Sequence, residues 1–384
     1  MDNISEMSRG MEPVRPYLPK QLSAEVVRRE VEKLYGFSSV DVPRLINGGQ
    51  ESAAWHFKTD RGDWVVKIYA PHDGRFERVT REPVLYAYLN QHGIRAPRVV
   101  QSKRAQLAEE LRADAQIYPV MVMQLEDLRF TRPASIQKEE LMSIARTVGQ
   151  MHQCLRCYPG HENALINNRA QSHRGVISSV KKIAMAAARL YQPFKGNSPC
   201  GYLMINKELV GYDLLVVSPA AASFTREELS HMLILDRQMK AYLSGHAPLS
   251  HLTESLIHGD LGLQHAPFLP SGDIYLFDFG DHSWGTVAEE LAGMLVSLCI
   301  DDVITLDRWE RLREWTLDGY ASQFQLTPGD AAAVLPFIIR RLLVAITYGC
   351  EMPAEMQGEG WRQRMKRRYQ LADYLLQSKA FSTS

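Results

Sequence analysis

The stretch from Ile257 to Asp281 constrains this chain more than any other part of it. It opens Ile257-His258-Gly259-Asp260-Leu261-Gly262-Leu263-Gln264-His265 and closes Leu276-Phe277-Asp278-Phe279-Gly280-Asp281. Between them, Pro270-Ser271-Gly272-Asp273 is a turn signal with apolar residues on both sides. The pattern predicts a hairpin in which His265–Leu269 pairs with Ile274–Phe277. Such a hairpin folds the loop before its first strand back beside the end of its second. Asp260 and Asp278 lie far apart in sequence yet are expected to be close in space. His265 falls between them. Two carboxylates and a third donor at one end of a hairpin suit a divalent cation and a proton acceptor.

The rest of the chain divides by period. Residues 23–36 read as a short amphipathic helix, with Ser23 as cap and Gly36 as stop. Asp41 to Ile46 alternates weakly until Asn47-Gly48-Gly49 breaks it. Ala53–Lys58 and Trp64–Tyr69 read as strands joined by a turn at Asp60-Arg61-Gly62-Asp63. A helix is expected over Arg78–His92. Because proline fits best near a first turn, Pro83 places its regular start close to Arg81. Ile117–Leu125 reads as a buried strand. From about residue 136 the pattern is helical, including Gln137–Cys154, Lys181–Tyr191 and Arg226–Leu243, with one β interruption at 256–280. Val334–Tyr348 is apolar but broken by Arg340 and Arg341, so it reads as a buried helix rather than a membrane span.

The fold class expected from this order is α+β and bilobal. Its parts are an N-terminal extension and helix (1–38), a small antiparallel-sheet lobe (39–125) and a large helical lobe carrying the hairpin (126–384). With 44 basic and 44 acidic residues, the charge is balanced, which favours neither nucleic acid nor an anionic membrane as partner. Arg362, Arg364, Lys366, Arg367 and Arg368 cluster near the C-terminus and read as a solvated helix face. Five cysteines in a chain of this length indicate reduced thiols and a cytoplasmic setting. Cys154 and Cys157 form a lone C-x-x-C within a helical pattern, a weak signal for zinc.

The hairpin segment resembles the aminoglycoside phosphotransferase and choline kinase family, distant relatives of the protein kinases. That family carries H-G-D-x-x-x-x-N before a hairpin ending in I-D-[FW]. The resemblance implies a kinase-like fold. It implies Asp260 as catalytic base or hydroxyl-orienting group, and Asp278 as ligand of the magnesium that bridges the nucleotide phosphates. His258 would brace the loop and Asp281 would support it. Trp284-Gly285 and Glu289-Glu290-Leu291-Ala292 resemble the stretch that opens the family's next helix. One position departs: the family's usual Asn is His265 here, as in some macrolide kinases. A neutral imidazole ligates metal but favours softer ions than an amide oxygen does, so Mn2+ stands beside Mg2+ as the expected ion. Gly262-Leu263-Gln264 also departs from the family's common His-Pro-Gly. A nucleotide-binding pseudokinase is the second reading that these departures leave open.

The resemblance further implies an ATP or GTP site in the sheet-rich part. Lys67, in Val65-Val66-Lys67-Ile68-Tyr69, would hold the α and β phosphates. Glu82 is the first candidate to pair with it and Glu77 the second. Gly48 and Gly49 would begin the loop over the phosphates, and backbone groups near Gln124, Leu125 and Glu126 would read the base. His152 reads as structural. The expected partner is a small-molecule hydroxyl acceptor. Only Glu208 and Asp213 are acidic between 165 and 225, within the helical insert at about 160–250 that is expected to form much of the acceptor pocket. That scarcity favours a neutral or apolar acceptor over a polycation.

Overall fold

The computed structural model describes residues 22–48, 52–71, 75–113, 116–159, 224–246, 251–299, 305–350 and 359–377. They belong to two compact units. The expected helix at 181–191 and the acceptor-side stretch around it lie outside the described residues.

The first unit begins with α1, Ala24–Tyr35. Ser23 caps it by accepting the Val26 amide, and Gly36 ends it at φ +73° while donating to the Glu32 carbonyl. Val27, Val31 and Tyr35, spaced at helical intervals, are buried against the sheet core. The sheet has five antiparallel strands in the order β1-β2-β3-β5-β4: β1 Arg44–Gly48, β2 Ser52–Thr59, β3 Gly62–Tyr69, β4 Glu109–Ala113 and β5 Gln116–Gln124. The β2–β3 turn is shorter than the sequence suggests. Thr59 pairs with Gly62, leaving Asp60 and Arg61 as the turn. β3 sits at the centre, with Lys67 opposite Ala54 on β2 and Met121 on β5. Trp55, Phe57, Val66, Ile68, Tyr118, Val120 and Val122 fill the core with Phe37 and the α1 stripe.

Three expectations for this unit need correction. Gly48 does not interrupt the first strand; β1 runs through it, opposite Ala53, after a register shift between Leu45 and Asn47. A bulge absorbs the misfit that reads in sequence as a break. β4 went unread because Glu109-Glu110-Leu111-Arg112-Ala113 is mostly polar; it is an edge strand, where charged side chains are usual. Finally, α2 spans Arg75–Gln91 with Pro83 in its interior. A mid-helix proline costs roughly 3 kcal/mol, and it is tolerated here where Val79, Leu85, Tyr86 and Leu89 are all buried.

The second unit is mostly helical. Its helices are α3 Lys138–Leu155, α4 Arg226–His246, α5 Val287–Ser297, α6 Leu306–Ala321, α7 Pro328–Cys350 and α8 Glu359–Gln377. Gln137 caps α3 through a capping box with Glu140. α3 packs on α6, and α7 packs on α4, α5 and α8. Arg340 of α7 is buried and paired with Asp236 of α4 at 2.9 Å, which accounts for a charge inside an apolar helix. α8 alternates exposed Arg362 and Arg367 with buried Trp361, Met365 and Tyr369, while Arg364, Lys366 and Arg368 are partly covered and Lys366 pairs with Glu228 of α4, so the basic cluster is only in part a solvated face. No helix among the described residues is long and apolar enough to cross a membrane.

The left-handed stop of α1 supplies a test. A Cβ on Gly36 would sit at φ +73° and 2.4 Å from Lys103 Cε. The side chain can retreat, but the backbone strain remains. Gly36→Ala is expected to lower stability by about 1 kcal/mol, read as a shifted midpoint in chemical denaturation.

Candidate functional site

The chemistry of the second unit is concentrated at two nested ribbons. The outer one pairs β6, Glu254–Ile257, with β7, Ser283–Thr286, in antiparallel register from Glu254↔Thr286 to Ile257↔Ser283. It closes the base of the whole 258–282 loop. The inner ribbon is the expected hairpin, in thinner form. The Phe277 amide donates to the His265 carbonyl (3.2 Å), the Tyr275 amide to Pro267 (2.9 Å) and the Leu269 amide to Asp273 (2.9 Å). Phe268 and Ile274 bridge across it. It never becomes a regular two-stranded ladder, because Pro267 and Pro270 have no amide hydrogen to give. Leu263–His265, expected to lead into the first strand, is instead a single 3-10 turn.

Asp260, His265 and Asp278 converge at the open end of this ribbon. The His265 Nδ1 lies 2.7 Å from the Asp260 carbonyl oxygen. A carbonyl only accepts, so Nδ1 carries the proton and Nε2 keeps its lone pair. That Nε2 stands 3.8 Å from Asp278 Oδ2, a separation that suits two ligands of one cation. Burial and the nearby His258 push the His265 pKa below its ordinary value, against the pull of Asp278 and Asp260. That direction favours the neutral ring, the form in which an imidazole ligates metal. Asp278 itself is held at φ +67°, ψ +49°, a left-handed conformation that costs an aspartate roughly 1–3 kcal/mol and tends to occur at functional positions. Among the described residues no three His, Cys, Asp or Glu side chains group to hold a metal. A cation at His265 and Asp278 would complete its shell from water and phosphate oxygens, as hard divalent ions at phosphate sites usually do.

The Asp260 carboxylate is half exposed, and Arg341 of α7 reaches it, Nη2 to Oδ1 3.4 Å. Loss of hydration raises the Asp260 pKa above its ordinary value, while His265, Arg341 and His258 pull the other way. The loop that carries it is anchored from behind. His258 is fully buried; its Nε2–H donates to the Phe277 carbonyl (2.9 Å) and its Nδ1 accepts the Asp260 amide (3.3 Å). Its ring stacks on His265 at 5.4 Å and lies 4.3 Å from Phe279. The amides of His258 and Gly259 both donate to the buried Glu290 carboxylate, Gly259 at 3.2 Å to Oε1. Burial alone would raise the Glu290 pKa, but His152 and His258 and these amide bonds bring it below its ordinary value. His152 stands 3.9 Å from Glu290 and is fixed on its other side by the Tyr320 hydroxyl at 2.7 Å. Gly259 is required twice over: its φ is +87°, and a Cβ there would lie 2.3 Å from the Asp281 carbonyl oxygen.

The first unit brings Lys67 and Glu82 together. The Lys67 ammonium is 3.7 Å from Glu82 Oε1, and Glu82 has no exposed surface. The side chain of Glu77, the second candidate, lies outside the described residues. Gly48 is the last residue of β1 rather than part of a loop, and Gly49 lies outside the described residues. The strand-end amides of Gln124 and Leu125 are already engaged, donating to the Arg98 carbonyl (3.0 Å) and the Asp63 carbonyl (3.1 Å). Those two donors are not available to read a base. Cys154 and Cys157 are not joined in a disulfide.

Sequence reasoning missed four residues in these groups: Tyr69 and Tyr86, whose hydroxyls donate to Glu82 Oε2 and Oε1, Glu290 as an anchor, and Arg341. Tyr69 and Tyr86 were visible as residues two and four positions beyond the predicted charges. Arg341 showed only as an interruption of an apolar run.

The second unit thus places Asp260 beside the His265–Asp278 pair, and the first unit holds a buried lysine–glutamate pair. The chain belongs to the phosphotransferase enzyme family, whose sequence profile matches residues 43–328. Among solved structures, it is similar to an amicoumacin kinase in complex with AMP-PNP, Ca2+ and Ami (16% identity, 92% of this chain and 94% of that one, TM-score 0.62). It is likewise similar to a microcompartment-associated aminopropanol kinase (15% identity, 93% and 99%, TM-score 0.63) and to the choline kinase of Streptococcus pneumoniae (15% identity, 92% and 98%, TM-score 0.52). The fold is thus kinase-like, with an antiparallel sheet in the N-terminal part and helices in the C-terminal part. No curated protein matches the sequence significantly.

Glu289, next to the anchor, yields a prediction. Both its oxygens are buried and lack a hydrogen-bond partner among the described residues. Burial lifts its pKa from 4.5 to about 8, with Glu290 adding to the rise and Arg341 and Arg340 opposing it. The folded chain therefore keeps a proton that the unfolded chain sheds. The stability it contributes is full below about pH 4.5 and is lost as pH rises toward about 8. Glu289→Gln is expected to flatten stability against pH across that window and to raise stability at its alkaline end, measured by denaturation at a series of pH values.

Proposed function

We propose that this protein transfers the γ-phosphoryl group of ATP or GTP to a hydroxyl of a small molecule. The observation that carries the reading is the convergence of Asp260, His265 and Asp278 at one end of a ribbon, with the His265 Nε2 lone pair and Asp278 Oδ2 3.8 Å apart. Asp260 accepts the hydrogen bond of the acceptor hydroxyl, orients it and takes its proton as the new bond from that oxygen to the γ-phosphorus forms and the bond from the γ-phosphorus to the bridging oxygen breaks, releasing the nucleoside diphosphate. Its half-exposed carboxylate is accessible for that role. His265 and Asp278 hold the divalent ion, Mg2+ or Mn2+. Once bound, that ion neutralises charge on the nucleotide phosphates. Lys67, oriented by Glu82, steadies the α and β phosphates. His258 and Glu290 make no contact with the reacting atoms; they fix the backbone on which Asp260 rides. The relatives of similar structure, an amicoumacin kinase bound to AMP-PNP and Ca2+ among them, support a nucleotide and a divalent ion here too. A nucleotide substrate and cysteines without disulfides among the described residues also suit a cytoplasmic setting. A base would be read by backbone carbonyls at the end of β5 or by groups from Glu126 onward.

The experiment is a coupled nucleotide-consumption assay against a panel of hydroxylated acceptors, with ATP and GTP and with Mg2+ and Mn2+. Asp260→Asn is expected to lower acceptor-dependent turnover by several hundred-fold or more, since base and positioning effects are worth roughly 10²–10⁴. Turnover within a few-fold of wild type would remove Asp260 from the chemistry. Metal-dependent nucleotide binding with no transfer to any acceptor would favour the pseudokinase reading instead. His265→Asn exchanges an imidazole for an amide oxygen, a harder ligand. It is expected to shift the ratio of Mg2+- to Mn2+-supported turnover toward Mg2+, and an unchanged ratio would take His265 out of the cation site.

A further inference from the structure

The backbone of Asp260 and its carboxylate are held by different parts of the second unit. The loop settles the backbone: the Asp260 amide donates to His258 Nδ1 (3.3 Å) and its carbonyl accepts from His265 Nδ1 (2.7 Å). Neither contact touches the carboxylate, which is half exposed and whose terminal torsion is broad and roughly two-fold by nature. Among the described residues, the one hydrogen bond to that carboxylate comes from outside the loop, from Arg341 Nη2 to Oδ1 at 3.4 Å. Oδ2 accepts none from them. Arg341 stands in an apolar part of α7, where Ile338, Ile339, Leu342, Leu343 and Ile346 are buried. Its neighbour Arg340 has its own acid in Asp236. The Arg341 side chain, 24% exposed, reaches out of this apolar stretch to the rim where Asp260 lies.

Stability does not account for this contact. An ion pair on a half-exposed carboxylate adds little to it. Glu289, a buried acid whose oxygens lack a hydrogen-bond partner among the described residues, would gain more from a donor. Arg341 is near enough to act on Glu289 through its charge, yet its Nη2 goes to Asp260. Basicity does not account for the contact either, because a cation beside a carboxylate makes it a weaker base. A donor at that point does fix direction, and in phosphoryl transfer positioning is most of what a protein supplies. We propose that Arg341 is a positioning residue for Asp260: it holds Oδ1 and so presents Oδ2 to the acceptor hydroxyl. The inference rests on the reading of Asp260 as the group that orients that hydroxyl and takes its proton. Without Arg341 the carboxylate keeps its place on the loop but turns about its terminal torsion, and the hydroxyl meets a correctly aimed oxygen only part of the time.

The test uses the full chain and an acceptor of the panel that gives turnover. Arg341→Met removes the donor and leaves a side chain suited to an apolar helix. Arg341→Lys keeps the charge and loses the planar fork. In Arg341→Met, kcat is expected to fall about 10- to 100-fold, the order of a displaced catalytic group. The acceptor KM and the dissociation constant of a non-hydrolysable triphosphate are expected to stay at wild-type values, with Arg341→Lys falling between wild type and Arg341→Met in kcat. In an Asp260→Ala background, adding Arg341→Met is expected to cost nothing further, because no carboxylate is left to direct. An equal loss in both backgrounds would overturn the proposal. So would wild-type kcat in Arg341→Met, or a loss of kcat matched by a loss of triphosphate affinity. Should Arg341→Met not fold, Arg341→Lys carries the same comparison in both backgrounds. Near-normal turnover of Asp260→Ala, or silence of the wild-type protein with every acceptor, would remove the role of Asp260 and this inference with it. Normal turnover of Arg341→Met beside an inactive Asp260→Ala would remove the positioning role alone.

Discussion

Everything at the hairpin end depends on one buried carboxylate. Glu290 accepts the amides of His258 and Gly259 and thereby ties the first turn of α5 to the start of the loop that carries Asp260. Two consecutive backbone amides aimed at one point require an unusual local path, and Gly259 at positive φ supplies it. The path in turn turns the His258 ring inward, where it meets the Phe277 carbonyl one residue before Asp278. One acid thus fixes, at a single remove, both sides of the ribbon. Burying it is tolerable because amide and imidazole donors surround it. Glu289, its neighbour in sequence, lacks such donors and responds in the opposite way, by holding its proton.

Much of this was legible in the sequence, and the reasons are local. The caps of α1 were read correctly because Ser23 and Gly36 act through the backbone within one turn. The hairpin was read from Pro270-Ser271-Gly272-Asp273, a turn whose chemistry is self-contained. Lys67 and Glu82 were paired in advance only through the family resemblance, since nothing in either stretch points to the other. What escaped depends on distant partners. β4 is polar because it is an edge, and a polar strand looks like a loop until its neighbour is known. Pro83 argues for a helix start until the buried residues on both sides of it are seen to outweigh it. Arg341 reaches Asp260 from 81 positions away, and no periodicity encodes that contact.

The two halves of the chemistry are organised on different principles. Around Asp260 the backbone does the holding: carbonyls and amides of the loop fix both His258 and His265, and their tautomers follow. Around Lys67 side chains do it, with phenols on a strand and a helix converging on one carboxylate. The first arrangement is insensitive to the identity of most loop side chains. The second draws two hydroxyls from different elements onto one carboxylate.

That contrast gives the loop from 258 to 265 an uneven tolerance to change. At Gly259 any side chain meets both a forbidden backbone angle and the Asp281 carbonyl, so this end is closed to variation by geometry. Leu261 and Leu263 are committed to the core. Gln264 is exposed and His265 only partly covered, and His265 is held through its own ring to a backbone carbonyl rather than to another side chain. A chain built this way can exchange the side chain at position 265 without rebuilding the frame around it. Under the proposed reading of His265, the choice of metal would be an adjustable setting on an otherwise rigid part.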